Sequence, residues 1–117
     1  MHEVKNLGYI TDLTVEQHEN LGTLREQVPA AMEGFTVLMQ GVEKPGALDQ
    51  KMKELIALAL SVKSQSTWCI AIHAKKCLAL GATREEMIEA SMVAVLMGGG
   101  PALMYVKLVQ DAIKEFS

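Results

Sequence analysis

Within SQSTWCIAIHAKKC, residues 64 to 77, Ser66, Cys69, His73 and Cys77 follow one another at intervals of three, four and four residues. On a helix those intervals put all four side chains along one stripe. A cysteine near the first turn of such a helix, with a histidine one turn further on, has two influences favouring its thiolate: the helix-end dipole and the adjacent imidazole. Cys69 is then a candidate nucleophile and His73 a candidate proton shuttle. Glu54 is the only ionisable residue from 54 to 62 and heads an apolar run, where a bare carboxylate is costly and needs a partner. His73 is that candidate partner, with Glu54 orienting the imidazole and fixing its tautomer. Ser66 has two readings, as a hydrogen-bond donor to the thiolate or substrate and as the N-cap of the helix.

The bland readings stand beside these. Cys69 and Cys77 are also small hydrophobes suited to a helix interior, and for Cys77 core packing is the preferred reading. His73 alone reads as a satisfied interior histidine, and Glu54 alone as a helix-start acid near Lys51 or Lys53. Trp68 reads as a packing anchor, and His2 and His18 carry no signal. A zinc site is offered by ligand type, but Cys69, His73 and Cys77 extend about 12 Å along a straight helix and do not converge on one ion.

Positioning these residues requires helices, and the chain is written for them. Half of its 117 residues are hydrophobic while only 4% are aromatic, so the core falls to Ala, Leu, Val, Ile and eight Met. Strand alternation is absent, and six helices in one all-α domain covering residues 1 to 117 are expected. Thr14 with Gln17 has the form of a capping box for the first. Pro29 suits the first turn of the second, PAAMEGFTVLMQGV. Asp49 caps QKMKELIALALSV, and the turn KSQS leads into TWCIAIHAKKCLAL, which stops at Gly81. Thr83 and Glu86 box the start of REEMIEASMVAVLM; the glycines at 98 to 100 end it, and Pro101 starts ALMYVKLVQDAIKEF. The third and fourth helices form an antiparallel hairpin. Glu54 lies 11 residues before the middle of its turn and His73 8 after, within roughly 5 Å of the same depth at ~1.5 Å per residue.

Composition narrows the partners. Fourteen acids against eleven bases give a net charge of −3 with no dense cationic cluster, which argues against nucleic acid. The start MHEVKNLGYITDLT has no apolar leader core, and no apolar run reaches the roughly 18 to 20 residues that cross a bilayer. A cytoplasmic protein with no membrane partner and two reduced cysteines is expected. ELIALALSV and ASMVAVLMGGG are apolar around most of their circumference, so a homo-oligomer joined through helical faces is expected as well.

LDQKMKELIALAL, the pair Cys69 and His73 in WCIAIH, and LGATREEMIEASMVAVLMGGGPAL together resemble the AhpD-like family, which includes the γ-carboxymuconolactone decarboxylases. The resemblance covers about residues 45 to 110. It implies an all-helical fold that assembles as trimers or hexamers, and a site without metal or organic cofactor. In the hydroperoxidase branch a Glu, a CxxC pair and a His four residues past its second Cys reduce hydroperoxides. Glu54, Cys69 and His73 occupy those places, and Ser66 replaces the first Cys of the pair.

A one-thiol site is oxidised to sulfenic acid and needs an external thiol reductant. Cys77 cannot resolve it from the same helix, because disulfides need Cα atoms within about 7 Å. In the decarboxylase branch a His/Glu acid-base pair acts on an anionic lactone and the cysteines are dispensable. Here no evident basic cluster awaits such an anion, although Lys63, Lys75 and Lys76 lie nearby in sequence. Three functions follow: an antioxidant thiol peroxidase, a lyase using His73 and Glu54, and a non-catalytic oligomeric binding module.

Overall fold

A computed structural model describes residues 8–117; His2 lies outside them. Five helices are arranged in chain order: α1 Tyr9–Gln27, α2 Pro29–Glu43, α3 Gln50–Lys63, α4 Thr67–Ala79 and α5 Arg84–Phe116. No strand occurs among the described residues. Helices α3, α4 and α5 pack against one another, α1 lies across α4 and α5, and α2 rests on α1.

The local signals act where the sequence places them. Pro29 sits in the first turn of α2. Asp49 accepts the Met52 N–H at 2.8 Å, and Thr83 and Glu86 close a reciprocal capping box at 3.1 and 2.9 Å. That box holds the Glu86 carboxyl below the usual range, chiefly through the Thr83 N–H and further through Lys51, whose ammonium lies 3.0 Å away.

Two elements differ from the sequence expectation. Thr14 is inside α1, its hydroxyl donating back to the Thr11 carbonyl at 2.7 Å, and α1 starts five residues earlier. Its opening N–H groups are satisfied by the Glu115 carboxylate, which accepts from Ile10 at 3.2 Å and Thr11 at 3.1 Å. Gly8 leaves room for that carboxylate, since a Cβ there would stand 2.6 Å from Glu115 Oε1. The second difference is one of continuity: the last two expected helices run on as α5, with the expected break in the glycine triplet present as a kink at Gly99, φ 73° and ψ −157°. α5 is long and apolar enough by length and composition to cross a bilayer, unlike any run read from the sequence. In this fold it bends at Gly99 and contributes Met87, Ala94, Val106 and Val109 to the core.

Gly99 occupies backbone space that is essentially reserved for glycine. A Cβ there would meet nothing closer than Pro101 Cδ at 4.0 Å, and Gly100 has open space and no positive φ. Gly99→Ala should therefore cost about 1–3 kcal/mol in urea unfolding through backbone strain. Gly100→Ala should leave the midpoint nearly unchanged. Equal midpoints for the two variants would show that the bend does not depend on the glycine conformation.

The core is built from Leu55, Leu58 and Val62 of α3, from Ile70, Ala71, Ala74 and Cys77 of α4, and from the inner face of α5, with Ile10 and Leu13 closing one side. Alanines at the centre of α4 let the α3–α4 hairpin close tightly. That hairpin carries the acid and the thiols.

Candidate functional site

Ser66 ends the hairpin turn in extended conformation, and its Oγ accepts the Cys69 N–H at 3.4 Å. Ser66 is thus the N-cap of α4, with its hydroxyl proton not used by the cap. Cys69 follows in the first turn of α4, half-buried and unpaired with another thiol. His73 comes one turn later and Cys77 one turn beyond that, fully buried.

Glu54 approaches from α3 with only 5% of its surface exposed. Its Oε1 lies 2.7 Å from His73 Nδ1, a distance suited to a charge-assisted hydrogen bond. The His73 side chain keeps 23% of its surface exposed. An Nδ1–H that donates to Glu54 leaves Nε2 as the nitrogen available for chemistry. Cys69 and His73 lie four residues apart on one face of α4 and make no hydrogen bond to each other.

The two cysteines differ sharply. Burial pushes the Cys77 thiol up from 9.0 to about 12, and the negative charge of Glu54 adds a second, smaller push. Sequence spacing puts Cys77 on the stripe; the link to Glu54 appears only once α3 is folded against it. The native state keeps a proton that the unfolded chain begins to lose at pH 9.0. Stability from the neutral thiol is therefore complete below about pH 9 and is lost as pH rises through the 9 to 12 window, by roughly 1.4 kcal/mol per unit. Cys77→Ala should show a correspondingly flatter alkaline unfolding profile; parallel wild-type and variant curves above pH 9 would contradict the assignment.

Of the three lysines near the site in sequence, Lys76 is the one placed beside Glu54. An open depression of about 210 Å³ is lined by Glu43, Gln50, Glu54, Lys76, Ala79 and Leu80, and Lys76 Nζ spans to Glu43 Oε2 at 3.1 Å. The recess thus holds two carboxylates and one ammonium, and the ammonium is paired with Glu43 of α2. Trp68 donates its indole N–H to Glu16 at 3.0 Å, tying α4 to α1, in line with its reading as an anchor. Among the described residues no cluster of three or more His, Cys, Asp or Glu side chains is arranged to hold a metal ion.

The sequence profile of the carboxymuconolactone decarboxylase family matches residues 29–112, which include the α3–α4 hairpin and both halves of α5 up to the last turn. The chain belongs to this family. Among its solved carboxymuconolactone decarboxylase relatives is the apo form of a family protein from Legionella pneumophila. It is 44% identical, has a TM-score of 0.89, and the match covers 92% of this chain and 96% of that one. A family protein from Thermotoga maritima, for which a part in the antioxidative response has been suggested, is 31% identical with a TM-score of 0.69 over 74% of this chain and 89% of its own. An uncharacterized protein of Cupriavidus necator is 38% identical over 90 residues, 77% of this chain and 80% of that one.

Proposed function

We propose that this carboxymuconolactone decarboxylase family member is a thiol-dependent hydroperoxidase with Cys69 as its nucleophile. The observation that carries the reading is a half-buried cysteine one helical turn before a histidine whose Nδ1 is held 2.7 Å from a buried carboxylate. The Cys69 thiolate attacks the distal oxygen of an organic hydroperoxide; an S–O bond forms as the O–O bond breaks, sulfur losing two electrons to the peroxide. The departing alkoxide takes a proton delivered through His73 Nε2 and leaves as the alcohol, with Glu54 orienting the imidazole and stabilising its charged form. The hydroxyl proton of Ser66 remains free to donate while its oxygen accepts the Cys69 N–H. An external thiol then attacks the sulfenic acid, releasing water and forming a mixed disulfide that a second thiol reduces. The antioxidative role suggested for the Thermotoga relative fits this chemistry.

A homo-oligomer, trimeric or hexameric, is part of the same proposal. Leu96 is 81% exposed, and Leu60, Met92, Val93, Met97 and Met104 are also open to solvent in the single chain. Faces of that kind mark helix-to-helix association.

A second reading is a lyase in which His73 and Glu54 move protons on an anionic substrate and Cys69 is a bystander. The 2.7 Å His73–Glu54 hydrogen bond supports it as it does the first reading, whereas Lys76 in the Glu54 recess is already paired with Glu43.

The deciding experiment is peptide-resolved alkylation of both cysteines before and after one equivalent of an organic hydroperoxide. Cys69 should be labelled rapidly at neutral pH and protected by peroxide, then restored by added thiol. Cys77 should stay unlabelled throughout. A Cys69 that resists alkylation at every pH, or is labelled equally after peroxide, removes the thiol reading and leaves the acid-base pair.

A further inference from the structure

We infer that α5, by folding back on itself at Gly99, builds a second binding site for a small amphiphilic anion, separate from the Cys69 face and independent of the peroxidase reading. Arg84 and Lys114 lie 15 residues on either side of Gly99 and line the same cleft of about 430 Å³. In a straight helix they would stand about 45 Å apart. The bend therefore creates the cleft.

Its charges are unbalanced. Lys107 is held by Asp111, 2.8 Å from each carboxylate oxygen, one turn along the helix. Arg84 and Lys114, both exposed, make no hydrogen bond or ion pair among the described residues. Two uncompensated cations thus face one concavity on a chain whose net charge is −3. A solvated cationic surface accounts for exposed charges alone, but the floor here is apolar: Ile113 is buried and Ile88 half-buried between them. The volume lies in the range of small-molecule pockets. A guanidinium matches a carboxylate or phosphate in two parallel hydrogen bonds, and an ammonium adds a point charge. The site suits an anionic head held by Arg84 and Lys114 with a short apolar body lying on Ile88 and Ile113.

The test uses the whole protein with ¹³C-methyl-labelled isoleucine. Hexyl phosphate and hexanoate are the probes, inorganic phosphate and hexanol the single-feature controls, all at constant ionic strength. Saturable shifts confined to Ile88 and Ile113, with Ile10, Ile56, Ile70 and Ile72 as references, are expected for at least one probe. The controls should bind about tenfold more weakly or worse, and the surface variant R84Q/K114Q should weaken the probe by a similar factor while its reference resonances stay in place. The tighter of the two probes identifies the head group as phosphate or carboxylate. Non-saturating shifts, equal binding of inorganic phosphate, or unchanged affinity in R84Q/K114Q would each overturn the site.

Discussion

Cys69→Ser should reduce consumption of an organic hydroperoxide to the uncatalysed background while leaving the helical fold intact. A serine hydroxyl in the same place is a far weaker nucleophile at neutral pH and has no accessible sulfenic state. The second cysteine offers no substitute, because burial and Glu54 keep the Cys77 thiol protonated up to about pH 12. The fold tolerates the change because Cys69 is only half-buried and its backbone N–H, not its side chain, is what Ser66 caps. Peroxide consumption with excess dithiol, followed beside the circular dichroism spectrum, measures both consequences. Full activity in the serine variant would exclude Cys69 as the nucleophile. The lyase reading predicts the opposite pattern, with turnover of an anionic lactone surviving Cys69→Ser and lost with His73→Ala.

Much of this arrangement is legible in the sequence, because the signals are local. Asp49 and the Thr83–Glu86 pair mark helix starts through bonds to residues three positions away, Pro29 marks one through its fixed φ and Gly81 marks a helix end through its positive φ, and they act as expected. Glu54 and His73 are 19 residues apart, yet one short turn between two regular helices fixes their relative depth. The illegible parts depend on distant chain. Thr14 and Gln17 have the form of a cap, but α1 extends beyond them because Glu115, more than 100 residues away, satisfies its first N–H groups. Three successive glycines signal a break, whereas the direction of the bend at Gly99 depends on packing against α3 and α4. The Arg84 cleft was invisible for the same reason, since its two cations are 30 residues apart in the chain.

His73→Ala and Glu54→Gln should separate the proton shuttle from the residue that positions it. Removing the imidazole should lower peroxide consumption by about 10²–10⁴, the usual contribution of a placed general acid or base. It also leaves the nearly buried Glu54 carboxylate without its partner, which should cost about 1–3 kcal/mol of stability. Glu54→Gln keeps an oxygen able to accept from Nδ1–H but removes the charge that stabilises the imidazolium, so its rate loss should be smaller and its fold more stable than that of His73→Ala. Glu54 acts through His73 in this scheme. The double variant should therefore be scarcely slower than His73→Ala alone, and urea midpoints of the same three variants separate this coupling in rate from the coupling in stability that any contacting pair shows. Losses that simply multiply would mean that Glu54 reaches the reacting atoms by another route, and the recess it shares with Lys76 would then be where substrate binds.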